Sequence, residues 1–155
     1  KKAGLDLTVV SGYRSYTGQK SLYNAYAPTM NKGQYYRVAL PGYSEHQLGT
    51  SVDVASELSG PEFAQTKESQ WIKNHAHEYG FILSYEEGSE EKTGYMYEPW
   101  HMRYVGVSNA TVLRKGQYAL SYKSVYYKDS WINNMLGRLK DYIDNEDAKN
   151  MSIGG

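Results

Sequence analysis

His46 and Asp53 stand seven residues apart in the stretch PGYSEHQLGTSVDVA, residues 41–55, and Glu98 and His101 enclose Pro99-Trp100 in EPWH. A neutral imidazole and a carboxylate are donors that borderline metals accept, and a catalytic zinc typically takes three such ligands and leaves a fourth position for water. His46, Asp53 and His101 fill three positions, with Glu98 beside the water. The His-x6-Asp pair is weak evidence alone. Glu98 and His101 say more, because two residues three apart on an extended chain need the Pro99 turn to reach one cavity. Arg14 carries a planar fork suited to a carboxylate or a developing oxyanion, and reads equally well as a surface arginine or a partner for Glu45. His75 and His77 are two apart on an expected helix, cannot share a face, and are read as structural or solvated.

The chain has 155 residues, enough for one domain with a real core. Lys plus Arg and Asp plus Glu balance at 17 each, which argues against electrostatic capture of nucleic acid or an anionic membrane and favours a small molecule or peptide as partner. The absence of cysteine excludes thiolate metal sites and thiol catalysis. No apolar run is long enough to span a bilayer, and Lys1-Lys2-Ala3-Gly4 is not followed by a signal-peptide core, so the targeting segment of an exported protein is expected outside this chain. There is no glycine-rich phosphate loop. Seventeen tyrosines suit half-buried packing or stacking on a peptide or sugar. A monomer is the favoured state.

The elements that must hold these side chains follow from periodicity. Leu5 to Val10 is β-branched and closed by Ser11-Gly12, which reads as a strand that delivers Arg14 just past its end. Thr17 to Ala27 has helical spacing, with Pro28 ending or kinking it, and Asn31 to Leu40 is a polar connection or a second short helix. Ser51 to Ala55 alternates, so Asp53 lies on a strand with Val52 and Val54 on the opposite face. Pro61 to Tyr79 reads as a helix entrance and a helix, capped by Thr66, stopped by Gly80 and apolar along Trp71, Ile72, Ala76 and Tyr79. Phe81 to Tyr85 and Trp100 to Val105 are expected strands, and Glu86 to Gly94 a solvated, mobile loop. Ser108 is a candidate cap for a short helix through Arg114. Trp131 to Ile143 forms an apolar stripe on a C-terminal helix, followed by a frayed tail from Asn150. Short strands close together in sequence predict a small single α+β domain, residues 1–155, with a mainly antiparallel sheet that carries the zinc site between flanking helices.

SGYRSYTGQ (Ser11 to Gln19), PGYSEHQLGTSVDVA and EPWHMRYVG (Glu98 to Gly106) together resemble the VanY-type D-alanyl-D-alanine carboxypeptidases and the related L,D-carboxypeptidases that trim peptidoglycan stem peptides. The resemblance covers roughly residues 5–106 and implies one zinc ion on His46, Asp53 and His101, with Glu98 as the catalytic glutamate and Arg14 as the arginine of the family's Y-R-S motif. It implies that Gln19 and Ser44 help hold the terminal carboxylate and that Tyr85 and Trp100 line the pocket. The implied substrate is a stem peptide losing a C-terminal D-alanine, and the implied location is extracytoplasmic, in the cell envelope or secreted. Ser51 departs from the small apolar residue usual there, relatives usually carry a helix before the first strand, and residues 107–155 form a C-terminal helical extension without a family role. A phage-lysin-like zinc endopeptidase and a non-catalytic cell-wall-binding module are the alternative readings.

Overall fold

A computed structural model of the chain describes residues 3–115. In order they form β1 (Thr8–Ser11), α1 (Tyr16–Met30), β2 (Ser51–Ala55), α2 (Lys67–His75), β3 (Phe81–Leu83), α3 (Glu90–Thr93), β4 (His101–Tyr104) and α4 (Val107–Arg114). Single 3-10 segments lie at Glu45–Leu48, Gly60–Gln65 and Ala76–Tyr79. The four strands make one antiparallel sheet in the order β1-β2-β4-β3, the small α+β arrangement expected from the sequence. β2 and β4 are its central strands, and their register sets Asp53 directly opposite His101.

Because side chains alternate along a strand, the same two strands serve two faces. Asp53 and His101 face the site, whereas Val54 and Met102 enter a core with Phe63, Ile72, Ala76 and Leu83. α2 closes that core. Thr66 accepts the Ser69 N–H at 3.0 Å, capping the helix as expected. Ile72 and Ala76 are buried and Trp71 packs on the cluster, but Tyr79 is exposed, its ring tilted 5.8 Å from Trp71. Gly80 ends the segment at φ 83°, where a Cβ would lie 2.7 Å from the Tyr104 ring and 3.1 Å from the backbone of Gly106 and Val107.

Several local expectations are corrected. α1 continues through Pro28 to Met30, because a proline one turn from the end removes a single ladder bond while Asn31 N–H still reaches Ala27 O at 2.9 Å. Of the two readings offered for Asn31 to Leu40, the polar connection holds, with no helix there. Glu86 to Gly94 carries the one-turn α3 and is tied by Tyr36 N–H to Gly94 O at 2.9 Å, although Glu86, Glu87 and Glu91 are exposed as expected. α4 begins at Val107 after Gly106, so Ser108 lies inside its first turn and caps nothing. The Trp131 to Ile143 stripe, the tyrosine-rich 118–127 segment and the tail from Asn150 lie outside the described residues. The described residues fall within one compact unit, Lys1–Ala119.

Candidate active site

Three backbone features bring the donors together. Asp53 and His101 are cross-strand partners on β2 and β4. His46 sits in the 3-10 turn between Ser44 and Gly49, whose φ of 71° lets the chain reverse into β2. The expected turn at Pro99 is present: His101 N–H donates to Glu98 O at 3.2 Å, and Glu98 N–H donates to Tyr85 O at 3.0 Å.

The imidazoles are fixed by their outward nitrogens. His46 Nδ1–H donates to Gly12 O at 2.7 Å, leaving Nε2 at 3.1 Å from Asp53 Oδ2. His101 Nε2–H donates to Glu45 Oε2 at 2.9 Å, leaving Nδ1 at 2.9 Å from Asp53 Oδ1. The two rings meet edge-on at 4.9 Å. One donor atom from each of His46, Asp53 and His101 lies within 4.8 Å of the others. Two imidazole nitrogens and a carboxylate, each imidazole held by a second bond, are a donor set that suits zinc.

Glu45 is the residue that sequence reasoning missed, having been weighed only as an ion-pair partner for Arg14. Its buried carboxylate accepts from His101, from Ser84 Oγ at 2.6 Å, from Arg103 Nη1 at 2.9 Å and from Ser51 Oγ at 3.4 Å. Ser51, unusual for its position, thereby supplies a donor. A signal did exist: Arg103 shares the β4 face of His101 by period-two alternation, and a buried guanidinium needs an acid.

Burial raises the Glu45 pKa, but the hydrogen bond and charge of His101, with Arg103 and Ser84, outweigh it and hold the group at about 2. Burial likewise raises Asp53, and the bonds from His101 and His46 bring it well below the usual carboxylate range. Burial lowers His101, while Asp53 and Glu45 push it up to about 9. Glu98 is the exception: burial, helped by the charges of Asp53 and Glu45 and opposed by His101 and Arg37, pushes it up to about 7.

All nine residues singled out from the sequence (Arg14, Gln19, Ser44, His46, Asp53, Tyr85, Glu98, Trp100 and His101) line one cavity of about 390 Å³. Arg14 does not pair with Glu45. Its Nη1 donates to Gln19 Oε1 at 2.8 Å and its Nη2 to Ser11 Oγ at 3.0 Å. Gln19, 1% exposed, donates in turn to Ala39 O at 2.6 Å, so its amide braces Arg14 from behind. Tyr85 is buried with its ring 5.1 Å from that of His101, Trp100 rests on the core, and Ser44 is buried at the start of the His46 turn. His75 and His77 lie elsewhere: His75 stacks on Trp71 and bonds Glu78 at 2.9 Å.

Residues 1–107 match the family described as VanY, D-alanyl-D-alanine carboxypeptidase. The chain is 41% identical over 130 residues to a D-alanyl-D-alanine carboxypeptidase of Enterococcus faecium, an alignment covering 83% of this chain and 40% of that protein. Among solved structures, the LdcB LD-carboxypeptidase superposes with a TM-score of 0.65 at 40% identity, covering 75% of this chain and 56% of that one. A mutant of the vancomycin-resistance D,D-pentapeptidase VanY in complex with Zn(II) superposes with a TM-score of 0.60 at 31% identity, covering 74% and 68%. The chain thus spans well under half the length of the enterococcal relative. With the family matched over more than half its length and the motif residues gathered on one cavity, the chain belongs to the VanY family.

Proposed function

We propose that this chain is the catalytic domain of a zinc carboxypeptidase that removes a C-terminal D-alanine from peptidoglycan stem peptides, across a D,D- or an L,D-bond. The observation that carries the reading is the convergence of the His46, Asp53 and His101 donor atoms in a cavity that also holds Glu98 and Arg14. A zinc ion on the three donors supplies Lewis acidity to the scissile carbonyl and to a water.

The rest is the work of this chain's side chains. Arg14, braced by Gln19 and Ser11, clamps the terminal carboxylate and so fixes the scissile bond relative to Glu98. Ser44 adds a polar contact on the same side, Gln19 acts through the Arg14 it braces, and Tyr85 and Trp100 wall the pocket. Glu98 takes a proton from the attacking water as the new C–O bond forms, then returns it to the amine as the C–N bond breaks. A carboxyl group held near neutrality suits a residue that must serve as base and then as acid. On this reading the protein acts where peptidoglycan is, outside the cytoplasmic membrane, and no helix among the described residues is long and apolar enough to cross a membrane.

Zinc-loaded protein incubated with tetrapeptide and pentapeptide stems should release D-alanine from at least one, detected by mass spectrometry, and chelator should abolish the release. Amidation of the C-terminus should block it. Cleavage of an amidated peptide at an internal bond would replace the proposal with the endopeptidase reading.

A further inference from the structure

The cavity holds two arginines, and the mechanism above employs only Arg14. Arg37 lies on the connection after α1, exposed to solvent yet lining the cavity. The chain around it is held firmly. Asn31 Oδ1 accepts the backbone N–H of Arg37 at 2.9 Å and of Val38 at 3.1 Å, and Asn31 Nδ2 donates to Val38 O at 3.1 Å. On the other side, Tyr36 N–H bonds Gly94 O at 2.9 Å, and Met96 N–H bonds Tyr36 O at 3.0 Å.

The side chain is placed as well. Arg37 Nε donates to Met96 Sδ at 3.1 Å. A thioether is a weak acceptor that cannot neutralise a guanidinium, and Arg37 forms no ion pair among the described residues. Both terminal nitrogens of its fork are therefore open to a ligand in the cavity. Its positive charge also reaches Glu98, where it opposes the upward pull of burial.

We propose that Arg37 is a second carboxylate subsite, reading an acidic group on the part of the substrate upstream of the scissile bond. The inference rests on the carboxypeptidase reading. A departing D-alanine has one carboxylate, which Arg14 takes, and its side chain is a methyl group. A second carboxylate in the same cavity must belong to residues that remain in the product. In a stem peptide, diaminopimelate at the third position ends its side chain in an amine and a carboxylate, whereas lysine ends in an ammonium alone. A guanidinium with no ion-pair partner among the described residues attracts the carboxylate and repels the bare ammonium. The acidic residues of the cavity act on both peptides, so the contribution of this residue is read from how the preference changes when Arg37 is replaced.

The test compares stem peptides identical except for diaminopimelate or lysine at the third position, each turned over by zinc-loaded wild-type protein, R37A and R37E. A charge-assisted contact predicts kcat/KM in favour of diaminopimelate by about tenfold or more in the wild type. The ratio should fall to about one in R37A and invert in R37E. Metal content and thermal melts of each variant check that the fold is retained. A wild-type ratio near one, or an R37A loss equal for both peptides, overturns the subsite and leaves the carboxypeptidase reading standing. Failure of the wild type to cleave either peptide overturns the carboxypeptidase reading, and the subsite with it.

Discussion

Glu98 and Glu45 are both carboxylates drawn into the cavity wall, and their surroundings drive them in opposite directions. Glu45 faces donors on every side and stays ionised, whereas Glu98 is carried toward neutrality by burial. Glu98→Gln should therefore keep stoichiometric zinc while kcat falls by about 10²–10⁴-fold, as expected for loss of a general acid and base. Wild-type turnover in that variant would remove Glu98 from the mechanism. Glu45→Gln should retain the fold but loosen the His101 ring, lowering zinc affinity by about 10–100-fold in competition with a chromophoric chelator. The sequence made His46, Asp53, Glu98 and His101 readable because each is a chemically capable type at a spacing that a turn or a strand can use. Arg103 signalled that an acid was needed, but not which one: the four donors to Glu45 come from β2, β4 and the residue after β3, and only the sheet register unites them. The bracing of Arg14 by Gln19 was equally hidden: sequence marks a polar residue but not the direction of its hydrogen bond.

At the scale of elements, β2 and β4 are the part on which precision depends, because one pairing register sets both the Asp53–His101 pair and the core. The turn that sends the chain from α2 into β3 packs against the end of β4 and the start of α4. A side chain at Gly80 meets a left-handed φ and the Gly106–Val107 backbone at once. Gly80→Ala should lower the unfolding free energy by about 1–3 kcal/mol in urea titrations, and an unchanged midpoint would show that the β4–α4 junction yields freely. The sequence indicated these elements through alternation, a threonine cap and a glycine stop. It misjudged those whose limits depend on tertiary bonds: α1, which outlasts Pro28, and Glu86 to Gly94, which is anchored by Tyr36.

For the molecule as a whole, the same charges set a pH dependence in the metal-free state. Glu45 ionises at about 2 when folded against an ordinary 4.5, so its contribution is complete above pH 4.5 and is lost as pH falls toward 2. His101 holds its proton up to about 9 against an ordinary 6.5, so its contribution is complete below pH 6.5 and is lost as pH rises through 9. Glu98, raised to about 7, adds a cost that grows between pH 4.5 and 7. Chelator-treated protein should therefore melt highest between about pH 4.5 and 6.5 and progressively lower toward pH 9. A melting temperature that is flat from pH 5.5 to 9 would contradict this electrostatic account. The small α+β architecture was legible from short, closely spaced strands, and the antiparallel order of the sheet agrees with it.

One small clasp joins these scales. Gly12 O receives the His46 side chain at 2.7 Å, and two residues later Arg14 N–H returns a bond to His46 O at 3.1 Å. The loop that presents the guanidinium and the turn that presents the His46 imidazole are thus stapled through the same histidine. On the proposed reading the staple acts as a ruler: the span between anchor and blade is built into the backbone, and it measures off one residue from the end of a chain. Specificity for what lies further up the peptide can then drift, through Arg37, while the length of each cut stays calibrated.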